Sequence, residues 1–180
     1  MTGDSSTTET SLDELYRRPG FLLRRAHQIS AALFLDETAG LGLTTTQFGT
    51  MTVLRACGSL DQVGIATLVG IDRSTTALVV SKLAEAGYVE RRDDDIDKRR
   101  KIITLSKAGH AMLDRAAQPA ERARERALQP FSARDADMFL TLLERFVSAF
   151  NSETRAPIHT DATARPKPKP RIKPEAEPHS

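Results

Sequence analysis

Apolar positions recur at helical spacing through most of the chain. After Pro19-Gly20, the residues Leu22, Ala26, Ile29 and Leu33 lie along one helical face, with Gly40 near that helix's end. Thr44-Thr45-Thr46-Gln47 opens another helix, bearing Phe48, Met51 and Leu54 and stopping at Gly58. Ser11-Leu12-Asp13-Glu14 is a capping-box pattern for a short leading helix. Ser106 caps a long Ala-rich helix, and Ser132 caps a last one carrying Phe139, Leu142, Leu143, Phe146, Val147 and Phe150. That stripe is too broad for an isolated surface helix, and a partner subunit is the simplest cover for it. Pro119 should kink or locally end the long helix, because proline lacks the backbone donor and clashes with the preceding turn.

The rhythm changes between Asp61 and Leu105. Asp61 can cap a short helix carrying Val63, Ile65, Ala66, Leu68 and Val69, and Gly70 supplies the positive φ that ends it. Gly70-Ile71-Asp72 is then a tight turn, with Asp72 placed to accept from the first free N–H groups of a helix running to Gly87. Along that helix Ala77, Val80, Leu83 and Ala84 are expected inside, leaving Arg73, Ser74, Thr75, Leu78, Val79 and Lys82 on or near the outer faces. Tyr88–Arg92 and Ile102–Leu105 read as two short strands, joined by a polar tip near Lys98, Arg99, Arg100 and Lys101. Two crossed helices followed by a basic hairpin predict a winged helix-turn-helix, mainly α with a small β-wing. Such a unit places one helix in a DNA major groove and the hairpin in the groove beside it.

Ser74, Thr75 and Thr76 crowd the leading end of the second helix, where hydroxyls can bond phosphates or base edges. Hydroxyl residues also favour helix starts for local reasons, and position alone favours neither reading. The tip's charge is offset by Asp93, Asp94, Asp95 and Asp97, so arrangement matters more than the sum. Asp97 is placed to hold Arg99 by a charge-assisted bond and aim its guanidinium.

At these residues the chain resembles the MarR (multiple-antibiotic-resistance regulator) family. That family's wing reads approximately Asp-Pro-x-Asp-x-Arg, an Ala-Lys pair, a short strand and Leu-Thr-x-x-Gly. Here Asp94, Asp97, Arg99, Lys101, Leu105 and Gly109 match, Asp95 replaces the usual Pro, and Ser106 replaces the usual Thr. The resemblance covers roughly residues 19–150 and includes Leu83–Val89, similar to the family's recognition-helix exit. It implies a homodimer whose N- and C-terminal helices interlock, reading a palindromic operator on double-stranded DNA. Arg99 is then expected in a minor groove, and Arg73, Ser74 and Thr75 at the major groove. Thr76, Leu78, Val79, Lys82, Lys98 and Arg100 complete the expected DNA surface.

The resemblance also implies a small aromatic or phenolic effector, held between the dimer helices and the DNA-binding lobe. Arg24, His27, Gln47, Phe48, Met51 and Arg55 are the residues expected there, an apolar slot with cationic and imidazole donors suiting an aromatic carboxylate. The plainer reading makes Arg24 a surface residue and His27 a satisfied interface histidine. Residues 18–28 further resemble a branch controlling aromatic-acid catabolism of nicotinate or benzoate type.

A length of 180 residues suits one domain with tails. Residues 1–10 are read as an N-terminal tail and 11–150 as the winged-helix domain, with 44–106 the DNA-binding lobe and 11–43 and 107–150 the dimerisation helices. Residues 151–180 are read as a disordered tail in which Arg165–Pro174 alternates proline with positive charge. That tail either adds non-specific phosphate attraction or is a passive solubilising segment. The net charge of +2 implies DNA contact through a local patch, not a polycation.

No apolar run is long enough for a membrane span, and the polar N-terminus is no signal peptide. The single Cys57 permits no internal disulfide, which agrees with a cytoplasmic location. It is read as a small buried packing residue beside Gly58; the rival reading makes it a peroxide-sensing thiol. There is no Ser-His-Asp order with an elbow motif, no metal-ligand spacing among His27, His110, His159 and His179, and no phosphate-cradling glycine loop. Neither catalysis nor a metal or cofactor is expected. Against a ligand-released repressor stands one reading of another class, a winged-helix protein-interaction module that never touches DNA.

Overall fold

A computed structural model describes residues 12–94, 98 and 100–159. The described chain runs through α1 (Leu12–Arg17), α2 (Pro19–Glu37), α3 (Thr45–Cys57), β1 (Ser59–Asp61), α4 (Gln62–Val69) and α5 (Arg73–Glu85). It continues through β2 (Val89–Asp93), β3 (Lys101–Leu105), α6 (Lys107–Leu128), α7 (Ala133–Phe150) and a 3-10 turn at Asn151–Glu153. Among the described residues no single helix is long and apolar enough to cross a membrane.

Local chemistry sets most of the element starts. Pro19 occupies the first turn of α2, where its missing N–H costs nothing. Thr44 and Gln47 form a reciprocal capping box on α3. Asp61, Asp72, Ser106 and Ser132 each accept a backbone N–H at the start of α4, α5, α6 and α7. Gly70 ends α4 at φ 71°, a left-handed conformation that favours glycine.

The sheet has three antiparallel strands in the order β1-β3-β2. The hairpin of β2 and β3 is the expected wing. β1 was not foreseen: three residues pair with β3, Leu60 opposite Ile103, and its last residue is also the cap of α4. Ile103 is fully buried at the centre of the sheet, against a core that includes Met51, Leu54, Ile65, Val80, Leu83 and Leu113. This core holds the two crossed helices and the sheet as one lobe.

The outer helices attach differently. Phe34 of α2 packs on Phe48 of α3 with ring centroids 5.4 Å apart, and Arg122 and Arg126 of α6 both bond Glu37 at the end of α2. Those two guanidiniums, Arg122 foremost, hold the Glu37 carboxyl below its usual range. Helix α7 has no buried residue, and Leu142, Phe146, Val147 and Phe150 are all exposed on it.

Helix α6 continues through Pro119, so the proline does not end it. The boundary at residue 150 needs correcting, because residues 151–159 are folded against the helix-turn-helix. The Asn151 side chain donates to the Ile158 carbonyl at 2.7 Å and accepts from the Ile158 N–H at 2.8 Å, and the His159 N–H donates to the Thr67 carbonyl at 3.4 Å. A paired amide of this kind satisfies polar groups that a chain end usually leaves to water. The tail read at 160–180 and the N-terminal tail at 1–10 lie outside the described residues.

Candidate nucleic-acid interface

The leading end of α5 is organised by Asp72. Its carboxylate accepts from the Ser74 hydroxyl at 2.5 Å, the Thr75 N–H at 2.9 Å and the Thr75 hydroxyl at 2.7 Å. These bonds, the Ser74 hydroxyl foremost, hold the Asp72 carboxyl well below the usual carboxylate range. Both hydroxyls therefore serve the cap, and each keeps its oxygen lone pairs as acceptors. Ser74 is exposed and Thr75 half-buried.

Further along α5 the inward face is not the expected one. Thr76 is fully buried and donates its hydroxyl to the Asp72 carbonyl at 2.8 Å, so it packs its methyl group in the core and cannot reach DNA. Val79 is buried beside Val80 in the core, and it too leaves the DNA surface. Ala77, expected inside, is exposed. The outer face of α5 thus presents Arg73, Ser74, Ala77, Leu78 and Lys82, with Leu78 56% exposed, a large apolar side chain turned to solvent.

The wing flanks this face. Lys98 is exposed in its turn, and the Asp94 N–H donates to the Arg100 carbonyl at 3.0 Å across the tip. Arg100 folds back, its Nε donating to the Asp61 carboxylate at 3.0 Å, so a cation expected on DNA instead ties the wing to the cap of α4. Lys101 pairs with Asp93 across the hairpin. Arg91 and Arg92 on the outgoing strand are exposed cations that the sequence reading did not assign, although their adjacency in a strand was visible. Arg99, and Asp97 read as its holder, lie outside the described residues.

Within the subunit the six residues expected around an effector engage different neighbours. Arg24 lies over the Phe21 ring at 4.9 Å on its own helix, and His27 is exposed. The Gln47 side chain accepts from the Thr44 N–H at 2.9 Å. Phe48 is half-buried against Phe34, and Arg55 pairs with Asp114 of α6 at 3.1 Å. Met51 is fully buried with Leu54 on the core side of α3, which removes it from any ligand surface. Cys57, expected to be buried, is exposed at the last position of α3.

Two cavities lie elsewhere, the larger of about 810 Å³ between the turn before α5, the end of α7 and residues 154–158, and the smaller of about 380 Å³ between α4, that turn and residues 155–159. None of the six expected residues lines either. Arg155 lines both, and sequence reading missed it because it lies past the assumed domain end.

Comparison with known proteins places this architecture. The MarR family model matches residues 43–101, the span from the end of the α2–α3 connection to the first residue of β3. The PcaV transcriptional regulator of Streptomyces coelicolor, solved with its natural ligand, superposes with a TM-score of 0.69. It is 31% identical, and the match covers 75% of this chain and 95% of PcaV. The chain belongs to the MarR family.

Two other MarR-like relatives extend the comparison. The HTH-type transcriptional repressor NicR of Pseudomonas putida is 26% identical over 148 residues, 82% of this chain and 94% of NicR. BpsR of Bordetella bronchiseptica, whose DNA binding is regulated by 6-hydroxynicotinic acid, has a TM-score of 0.69 at 25% identity, covering 73% of this chain and 94% of BpsR. Each relative is matched over nearly its whole length, whereas about a fifth to a quarter of this MarR regulator extends beyond the match.

Proposed function

We propose that this MarR regulator is a homodimeric repressor that binds a palindromic operator and is released by a small aromatic or phenolic acid. The observation that carries the DNA reading is the outer face of α5, where Arg73, Ser74, Leu78 and Lys82 stand exposed next to a wing with exposed Arg91, Arg92 and Lys98. Cations position such a helix on phosphates, while hydroxyl and apolar side chains read base edges.

The dimer reading rests on the bare apolar stripe of α7, together with the exposed Leu12, Leu15, Leu22 and Ile29 of α1 and α2. Apolar patches of that extent mark association surfaces. A two-fold pair would set the half-site centres about one duplex turn apart, ~10 base pairs. The effector class is supported by BpsR and its regulation by 6-hydroxynicotinic acid. Catabolism of nicotinate- or benzoate-type acids is the corresponding reading for the genes controlled. A ligand of this kind releases DNA by favouring a dimer whose α5 helices are wrongly spaced, and only to the extent that it binds that form more tightly.

The test is a gel-shift titration of the full chain on its own upstream region against competitor DNA, with and without 6-hydroxynicotinate and benzoate. Tight, competitor-resistant binding that one of the acids relieves is expected. No preference over competitor would make the domain a protein-interaction module instead.

A further inference from the structure

The chain beyond α7 turns back onto the helix-turn-helix. Asn151, the residue after that helix, donates its side-chain amide to the Ile158 carbonyl at 2.7 Å and accepts from the Ile158 N–H at 2.8 Å, which closes residues 151–158 into a loop. Two contacts seat it. Ile158 fills the space over Gly70, where a Cβ would lie 2.6 Å from its Cγ1, and the His159 N–H donates to the Thr67 carbonyl on α4 at 3.4 Å. Gly70 is thus required twice, for its φ of 71° and for its missing side chain.

The loop carries positive charge to this place. Arg155 is exposed, lines the smaller cavity with Arg73 and the larger one with Ser74, and so stands at the leading end of α5. Among the described residues neither Arg73 nor Arg155 forms an ion pair. The acidic residue lining these cavities is Asp72, whose oxygens accept from Ser74 and Thr75. Two guanidiniums gathered on one wall in this way set up a local positive field, which a polyanion balances.

Resting on the DNA-binding reading above, we propose that Arg155 is a phosphate contact, presented by the loop beside Arg73 to the DNA backbone that flanks the leading end of α5. A guanidinium fork matches the oxygens of a phosphate and can pair with two of them at once. Contacts of this kind fix the register and orientation of a reading helix and carry no base information. Arg155 therefore adds affinity and holds the entry of α5, without changing which operator is preferred. A small acid is the less favoured occupant, because Phe146, Val147 and Phe150 on the wall of the larger cavity belong to the stripe proposed to meet the partner subunit. Arg155 lies beyond residues 43–101, the span matched by the family model.

The experiment compares the full chain with Arg155→Gln, Asn151→Ala and the two combined, on an operator duplex across salt concentrations. Arg134→Gln, an exposed position at the other end of α7, removes the same charge elsewhere. Arg155→Gln is expected to flatten the slope of log affinity against log salt by about 1 per subunit, about 2 for a dimer, and to weaken binding on the order of ten-fold at ~0.1 M salt. The ratio of operator to competitor affinity should hold. Asn151→Ala keeps the charge but frees the loop, so it should weaken binding in the parent chain and add nothing to Arg155→Gln. An unchanged slope for Arg155→Gln, with operator binding retained, overturns the phosphate contact and leaves the DNA reading standing. Equal flattening by Arg134→Gln overturns it as an effect of net charge alone. Normal DNA binding by Arg155→Gln with relief by benzoate or 6-hydroxynicotinate lost would overturn it in favour of an effector contact. Additive losses from Asn151→Ala and Arg155→Gln overturn the presenting role of the loop. A parent chain that prefers no DNA brings down both readings.

Discussion

The Tyr88 carbonyl oxygen lies 2.1 Å from the position a Cβ on Gly109 would occupy. That carbonyl also accepts from the Ser106 N–H at 3.0 Å, while the Ser106 hydroxyl donates to the Gly87 carbonyl at 2.6 Å and accepts from the Gly109 N–H at 3.0 Å. The exit of α5, the start of the wing and the cap of α6 thus meet at one junction, which a helix without a side chain at this position lets close.

Gly109→Ala should therefore destabilise the fold by about 1–3 kcal/mol, although alanine normally favours a helix. The clashing atom is backbone and cannot rotate away. Urea denaturation of both chains checks this. Equal midpoints would show that α6 can shift without cost.

The Asp72 cap predicts a pH dependence. Removing it in Asp72→Ala should lower stability at neutral pH, as the loss of an N-cap does. Hydrogen bonds from Ser74 and Thr75 depress the folded-state pKa of Asp72 below its ordinary 3.8. Its stabilisation is therefore fully present above the ordinary value and is lost as the pH falls toward the depressed one. The stability gap between the two chains should stay constant from neutral pH down to about pH 5 and narrow only below about pH 4. A gap that closes near pH 6 would point to another group.

How far the sequence revealed the site depends on which interactions are local. Asp61, Asp72, Ser106 and Ser132 were legible as caps because each bonds the N–H three residues ahead. β1 was not, because its pairing partner Ile103 is remote from Leu60 along the chain and the strand is only three residues long. The inner face of α5 was misread at three positions, Thr76, Ala77 and Val79, the first because polarity stood in for geometry. Thr76 satisfies its hydroxyl on the Asp72 carbonyl and can be buried, while Ala77 is small enough to be left outside at little cost. The packing of residues 151–159 on α4 and the turn after it was not legible, because nothing in the composition of that stretch announces it.

Leu78 and Val79 are neighbours with opposite fates, exposed and buried. Val79→Ala should cost about 1–3 kcal/mol of stability through the lost burial and the cavity left behind. Leu78→Ala should leave stability within about 0.5 kcal/mol and weaken operator binding. Thermal melts paired with gel shifts separate the two effects. A Leu78 variant that binds normally would remove that side chain from the DNA surface.

Exposure of Cys57 predicts rapid, stoichiometric reaction with a thiol reagent in the native protein. The Arg55 guanidinium, the nearest cation in sequence, pairs with Asp114. Operator binding by Cys57→Ser should equal that of the parent, with any release by peroxide retained. Release abolished by this substitution would establish the thiol as the sensor in place of an aromatic acid.

The stripe on α7 gives the last prediction. Leu142 is 54% exposed on a helix with no buried residue, so an aspartate there faces water in a lone subunit and costs little. In a two-fold dimer covering the same stripe, the substitution buries an unpaired carboxylate on both sides of the symmetry axis, and a desolvated charge costs several kcal/mol. Leu142→Asp should accordingly leave the helical circular dichroism signal intact while shifting the mass measured by light scattering from dimer to monomer. Operator affinity should fall with it, because one subunit addresses only one half-site. A variant that remains a dimer would move the interface off α7.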